Sequence, residues 1–448
     1  MSLSVVKPPA ALPERRRRAV RAGPILETVE LALELVTPVL GGAAVPRTID
    51  EVDVVRVPSI RGQLRFWWRA LNAQRFTTAT DLYKEESKLF GRAAEKEGGR
   101  SEVEICLHVL ARGGCDTQDI ELGKTPGDYA LFPARSERKG KPDEKPPAPR
   151  RKPGTQFTLE LRAPKERLEE LRPVLRAWIL FGGYGSRTRR GLGSLTVTGA
   201  DKASWLPKEA SLAEFGRLFG RDVFAPQAVP AELAQTPRLA GASLLVGEPV
   251  AGAEQAWTSA LNWLRDFRQG ANTGAREPGA GNRPSISNWP EADKIRHLTR
   301  KTRSHKPRYG EDPAWPRAAF GLPIVGQFQR NARDGGIYDE PGPFELTWKD
   351  GEGLHNRLAS PLIVKAMPLA NGEFVPIALW LARAWPPGGQ VVLKKNKTED
   401  VPKSAAPFDK LLGEKDPVLF PPLEGKSSLR DAFLDWLGSE KKATRIAG

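Results

Sequence analysis

Arg61, Arg65 and Arg69 recur at every fourth residue of the run SIRGQLRFWWRALNA, residues 59 to 73, and no acid stands among them. On a helix each residue turns about 100°, so these three guanidinium groups share a stripe roughly 80° wide, with Asn72 beside it. Three like charges at that spacing lower helix stability by a few tenths of a kcal/mol per pair, so something outside the helix should compensate them. A polyanion would do so; so would acids from neighbouring strands, or plain exposure to solvent. Ile60, Leu64, Trp67 and Leu71 form a second stripe, roughly 60° wide, which must face a core. Trp67 is therefore expected to pack rather than to stack on a ligand. Ser59 suits the N-cap of this helix.

A second constellation lies at residues 181 to 195, FGGYGSRTRRGLGSL, where five glycines surround Arg187, Arg189 and Arg190 between a helix and a strand. Glycines let backbone amides approach a phosphate closely, and arginines add bidentate charge. The loop is not a nucleotide-binding P-loop, because the Gly-Lys-Thr at Gly123 to Thr125 has Gln118 where that motif needs glycine. Nor does it precede a helix, as a dinucleotide fingerprint must.

A third lies at Lys294 to Arg308, KIRHLTRKTRSHKPR: Lys294, Arg296, Arg300, Lys301, Arg303, Lys306 and Arg308, two histidines and no acid. Arg357 and Lys365 flank a predicted strand nearby and are weaker candidates. Catalysis has little to stand on. A ribonuclease needs a general base or acid, often histidine, beside the 2′-hydroxyl. The first helix has none; His108 falls in a predicted strand, His297 and His305 in the basic run, and His355 in a loop. No acidic cluster suits two metal ions, and Cys106 and Cys115 with four histidines are too few for a structural zinc site. No cofactor is expected.

The elements that must hold these residues come from periodicity. Residues 25 to 36 alternate as a strand. The arginine helix follows, then strands at Val103 to Leu110 and Thr155 to Leu161, a helix from Lys165 to about Phe181, and a closing strand SLTVTG. That order is the split βαββαβ, or ferredoxin-like, arrangement. Residues 133–153, rich in Pro, Lys and Arg, read as a mobile surface insertion, and 201–240 as a connector with a helix around Ala213 to Phe219. From 241 to 448 a second unit is expected, with helices at Glu254 to Arg268 and Pro290 to Arg300. Its strands are expected near Ser243 to Val246, Pro323 to Phe328, Phe344 to Trp348, Pro361 to Met367 and Phe374 to Leu379. Residues 1–24, with Arg15 to Arg18, read as a basic disordered tail rather than a secretory signal.

Composition agrees with a polyanion partner. In 448 residues, 69 Lys and Arg against 54 Asp and Glu leave a net charge of +15. The longest apolar stretch, Leu358 to Trp385, is interrupted by Lys365, Asn371, Glu373 and Arg383, so no membrane span is expected. Two cysteines without a Cys-x-x-Cys pair fit a reducing, cytoplasmic setting.

IRGQLRFWWRA at 60 to 70 and SRTRRGLGSL at 186 to 195 closely resemble the RAMP superfamily of CRISPR proteins, and within it the first-numbered subunits of the type III-B Cmr complex. SNWPEADKIR at 287 to 296, AFGLPIVG at 319 to 326 and RLASPLIVKAM at 357 to 367 look like the second-half motifs of those subunits, in the same order. The resemblance implies an α+β fold of two ferredoxin-like RAMP domains. It implies a non-catalytic role at the filament end that holds the 3′ part of the guide CRISPR RNA and meets single-stranded target RNA, with other Cmr subunits as partners. It places the PEADKIR segment beside the RNA groove. The rival reading is a stand-alone RAMP endoribonuclease that processes CRISPR repeat RNA. The basic tail and the 133–153 insertion depart from the family pattern.

Overall fold

The computed structural model describes residues 25–43, 45–93, 98–138, 140–278, 285–303, 305–328 and 340–448. The basic tail expected at 1–24 lies outside them. The first unit runs β1 (Glu27–Leu35), α1 (Val57–Asn72), α2 (Ala79–Phe90), β2 (Glu104–Ala111), β3 (Thr155–Ala163), α3 (Lys165–Phe181) and β4 (Leu195–Val197). Its strands pair antiparallel in the spatial order β2-β3-β1-β4. The period of two is visible in burial: Val29, Leu31, Leu33 and Leu35 of β1 face the core, as do Phe157, Leu159 and Leu161 of β3. Helix α1 begins at Val57 with Arg56 as its N-cap, so Ser59 is not the cap; Pro58 sits in the first turn, where its missing N–H costs nothing.

After a connector carrying α4 (Leu212–Phe219), the second unit runs β5 (Arg238–Val246), α5 (Ala253–Gln269), β6 (Leu362–Pro368), β7 (Phe374–Ala382), α6 (Leu429–Glu440) and β8 (Thr444–Ala447). Its strands pair in the order β6-β7-β5-β8, again all antiparallel. Numbered within each unit, both sheets read second, third, first, fourth. Residues 270–361 and 383–428 are insertions into this pattern. Together they build a five-stranded sheet from Ile324–Gly326, Phe344–Asp350, Gly353–His355, Gln390–Leu393 and Ala406–Pro407, over a core that includes Trp315, Leu346, Trp348, Val391 and Phe408. The strands expected at 323–328 and 344–348 therefore belong to this smaller sheet, not to the main one.

The two units stack. All seven residues of β6 are buried, and all but the last of β7, so the second sheet has no free face. Val375, Ile377, Leu379 and Leu381 of β7 join the core that holds α1 and α3. The alternate residues Phe374, Ala378 and Trp380 join the core of α5 and α6. Four layers result: first sheet, α1 with α3, second sheet, α5 with α6. Helix α1 is consequently apolar on more than one stripe. Trp68 is as buried as Trp67, and its indole N–H donates to Glu170 at 2.7 Å.

The 133–153 insertion ends in structure rather than at the surface. Arg150 and Arg151 are buried in a short strand between Val39–Leu40 and Cys115–Asp116, where they pair with Asp116 at 2.7 Å and Glu51 at 3.0 Å. Buried arginines need such partners.

Lys365 of β6 is fully buried and points through the stack at the end of α3, donating to the carbonyls of Ile179 at 3.0 Å and Gly182 at 2.8 Å. It caps a helix of the first unit from a strand of the second. It is thus not a surface cation for RNA. Burial pushes its pKa from the usual 10.5 down to about 7, and the neutral amine still has two hydrogens for its two carbonyls. Above pH 7 the unfolded chain keeps a proton that the folded chain has lost, so this group's contribution to stability rises with pH up to about 10 and is flat below 7. Urea unfolding should therefore show the wild type gaining about 1–2 kcal/mol on Lys365→Met between pH 7 and pH 9. An unchanged difference would place the charge in the folded state.

Candidate nucleic-acid interface

The Gly/Arg loop lies where the two units meet. Its glycines are there for packing, which corrects the expectation that they open the backbone to a phosphate. Gly191 has φ 77°, and a Cβ there would stand 2.3 Å from Trp257 of α5. A Cβ on Gly193 would stand 1.9 Å from the Tyr184 carbonyl oxygen. The Trp257 indole donates to the Arg190 carbonyl at 2.7 Å, so the loop is tied by its backbone and presents its side chains.

Those side chains make an arginine cluster. Arg190 donates to the Leu362 carbonyl at 3.0 Å; burial pushes it down to about 10, which leaves it charged at neutral pH. Arg187, exposed at the outer edge, donates to the Ala130 carbonyl at 3.2 Å. Arg189 lies over the Phe66 ring at 5.5 Å. The second unit adds four arginines that sequence reading missed. Arg268 donates to the Tyr129 hydroxyl at 2.6 Å. Arg383 repels Arg189 and Arg276 repels Arg317, lowering the pKa of Arg383 and Arg276 after the larger effect of burial. Of the seven, Arg317 has an acid, Glu291 at 3.1 Å. Buried Nε atoms of Arg268 and Arg383 have no hydrogen-bond partner among the described residues. A concentration of guanidinium groups with so few acids is a site for an anion. The signal was faint because the four arginines stand far apart in sequence, each beside an unremarkable apolar run.

The other candidates divide by burial. Arg65 and Arg69 share one carboxylate, Glu86 of α2, at 3.3 and 2.6 Å, and Glu86 is 2% exposed. The compensation demanded by the arginine stripe thus comes from within the chain. Arg61 has no ion pair among the described residues, and its Nε is buried without a partner. Lys294 is fully buried, paired with Asp416 at 2.6 Å, and Arg296 is buried between Asp293 and Glu340, each at 2.8 Å. These two are corrected from surface cations to core ion pairs; Asp293 stands just before the run, while Asp416 and Glu340 come from distant parts of the chain, which a local charge count cannot see. Arg308 pairs with Glu277 at 2.7 Å. Arg300, Arg303, Lys306 and Arg357 are exposed, and Lys301 is half-buried.

The outer face of the first sheet is unsuited to RNA. Its outward positions on β1 and β3 include Glu30, Glu34, Gln156, Thr158 and Glu160, where a base-stacking sheet would carry aromatic rings. The histidines also lie apart from the arginine cluster. His108 is exposed on β2. His297 Nε2 is 2.9 Å from the Tyr309 carbonyl. His355 stacks on Trp348 at 3.8 Å and pairs with Asp350 at 2.8 Å. Burial lowers the pKa of His305. Among the described residues no group of three or more His, Cys, Asp or Glu is placed to hold a metal ion, and no helix is long and apolar enough to cross a membrane.

Comparison with known proteins agrees with the sequence motifs. Residues 32–196 match the model of the RAMP superfamily. CRISPR system Cmr subunit Cmr1-2 of Pyrococcus furiosus is 30% identical over 177 residues, which cover 37% of this chain and 92% of that protein. The chain belongs to the Cmr1 family. Cmr subunit Cmr1-1 of the same organism is 32% identical over 154 residues, or 34% of this chain; the match spans 42% of that relative, less than half its length. Among solved structures, the apo crystal structure of Cmr1 from P. furiosus is 16% identical, with a TM-score of 0.46 over 95% of this chain and 99% of that one. A subunit in the cryo-EM structure of Type III-B Cmr-beta bound to cognate target RNA is 12% identical, with a TM-score of 0.44 over 81% of this chain and 97% of that one.

The geometry separates the arginines of α1 from those of the loop. Replacing Arg65 and Arg69 together by Ala should destabilise the protein by about 3 kcal/mol, because the Glu86 carboxylate is left buried and unpaired. Arg61→Ala should cost less than about 0.5 kcal/mol. Urea unfolding of the two variants checks both; equal stabilities would mean that Glu86 finds another partner.

Proposed function

We propose that this Cmr1-family chain is a non-catalytic RNA-binding subunit of a type III-B CRISPR effector complex, and that RNA lies across the arginine cluster at the seam between its two units. The observation that carries this reading is that cluster: Arg187, Arg189, Arg190, Arg268, Arg276, Arg317 and Arg383 from both units, with Glu291 the one acid paired to them among the described residues. Such a surface meets phosphates and carries no sequence code of its own. We take residues 25–200 and 241–448 as two ferredoxin-like RAMP units, each a four-stranded sheet packed against a pair of helices, α1 with α3 and α5 with α6, with α2 added to the first and β5 reaching back to Arg238 in the second. The exposed Arg300, Arg303, Lys306 and Arg357, with Arg61, extend the basic surface.

The guide CRISPR RNA and single-stranded target RNA are the proposed ligands, with other Cmr subunits as partners, in the cytoplasm. The place proposed is the filament end that holds the guide's 3′ part, as the resemblance of the sequence motifs implies; membership of such a complex is supported by the relatives named as Cmr subunits. Absence of catalysis is supported by the histidines. Two of the four are held by a backbone carbonyl or an aspartate within the smaller sheet and its supports, and none lies in the cluster.

Binding of single-stranded RNA by the purified protein tests the reading. For about six neutralised phosphates the log-log salt dependence should have a slope near −4, at roughly −0.7 per contact. Replacement of Arg187 and Arg190 by Ala should weaken binding without base preference. The protein alone should leave repeat and target RNA intact. A flat salt dependence would reject electrostatic binding. Metal-independent cleavage lost on changing one of His108, His297, His305 or His355 would favour the processing enzyme.

A further inference from the structure

Arg189 and Arg383 stand apart from the paired cations of the interior. Lys294 has Asp416, Arg296 has Glu340, Arg317 has Glu291, and Arg190 and Lys365 have backbone carbonyls. Among the described residues the Arg189 guanidinium has no hydrogen bond or ion pair; it has the face of Phe66 on α1, 5.5 Å from its ring centre. Arg383, which directly follows β7, lies 5.1 Å from the ring centre of Trp385, with Nε and Nη2 both buried and unpartnered. Its shelf is fixed: Trp385 stacks on Phe408 at 4.8 Å, and its indole N–H donates to Asp409 at 2.7 Å. That engages the neighbouring carboxylate elsewhere. The backbone beside it is held as well, by the Ala384 N–H on the Ala234 carbonyl at 2.8 Å.

The Leu381 N–H of β7 donates to the Pro361 carbonyl at 3.1 Å, next to the Leu362 carbonyl that takes Arg190, so the end of β7 brings Arg383 up to the loop that carries Arg189. The two guanidinium groups, one from each unit, are half-buried, each laid on an aromatic ring and neither given an acceptor among the described residues. Repulsion and desolvation both oppose this arrangement unless an anion joins it. We propose that Arg189 and Arg383 form a clamp for a single phosphate, reached across the seam and preset by Phe66 and Trp385. Two planar forks suit the oxygens of one phosphate, and rings that hold them reduce the ordering lost on binding. The phosphate is an internal phosphodiester of a bound RNA, a terminal phosphomonoester, or free phosphate. The first two sources rest on the function proposed above; the third does not.

The test uses the full chain with Arg383→Gln, Arg189→Gln and the double variant, and Arg383→Lys to keep the charge while removing the fork. Two readouts are needed: the melting temperature in inorganic phosphate against chloride at equal ionic strength, and the affinity for single-stranded RNA with and without a terminal phosphate. Phosphate should raise the melting temperature of the wild type and not of either Gln variant. Each Gln variant should bind RNA about 10-fold or more weakly, as for a lost charge-assisted hydrogen bond, with a salt slope shallower by about 0.7. The double variant should lose less than the product of the single losses, because the two share one ligand. Arg383→Lys should keep the slope and lose affinity. Dependence on a terminal phosphate would assign the end of the strand; indifference to it would assign an internal phosphodiester. If the wild type binds no RNA but phosphate still stabilises it through Arg383, the RNA reading falls and the clamp stands. If Arg383→Gln binds RNA and responds to phosphate as the wild type does, the clamp is wrong.

Discussion

A cation taken out of water must be met by an acceptor, and the four-layer stack forces that demand on a chain with 69 lysines and arginines. Because the second sheet is covered on both faces, anything that points from it toward the first unit enters a dry layer. Lys365 does so and is met by the last carbonyls of α3. Arg190 does so from the opposite direction and is met by the carbonyl of Leu362. These contacts are reciprocal: a strand of the second unit caps a helix of the first, and a loop of the first lies on a strand of the second. The relative position of the two sheets depends on them, and so does the register in which the remaining arginines face each other.

This constraint explains why residues that looked alike in sequence have opposite fates. In the run from Lys294 to Arg308, Lys294 and Arg296 lie on opposite sides of a nine-residue helix, Pro290–Leu298, that is buried nearly all round, and they find Asp416 and Glu340, whereas Arg300 and Arg303 lie past the helix end in solvent. The run contains no acid, but the fold supplies two from far along the chain. The stripe on α1 behaves likewise, since α2 lays Glu86 across Arg65 and Arg69.

The first unit was legible because its strands alternate and its helices keep a clean apolar stripe; α3 begins at Lys165 and ends at Phe181 as periodicity places it. Helix α2 was not, and Glu86 is the reason. It sits on the buried face with Leu82, Leu89 and Phe90, so a charge interrupts the apolar stripe that would reveal the helix. In the second unit the insertions hid the pattern. Ninety-two residues separate α5 from β6, and the strands within them alternate as well as those of the main sheet do. Local periodicity identifies a strand without saying which sheet will receive it. Helix α6 carries a clear N-terminal signal, Ser428 accepting from the Asp431 amide, and no expectation covered it. Of the arginine cluster, only the part on the Gly/Arg loop could be read in advance, where three arginines stand together.

The glycines of that loop change what the motif means. If they served to admit a phosphate to the backbone, the amides would be the binding groups and the arginines auxiliary. Instead Gly191 and Gly193 are filled against Trp257 and Tyr184, so the backbone is sealed and the side chains are the groups left to meet the proposed anion. Small residues here permit close packing of two units, and close packing brings arginines from both into one cluster. An anion held there touches both sides of the seam, so its binding free energy is also free energy for keeping the units together. On the proposed reading, a contact that takes a polyanion would also report on whether the stack is intact, and a change that loosens the seam, even one remote from any arginine, should weaken binding by spreading the charges before it removes any of them.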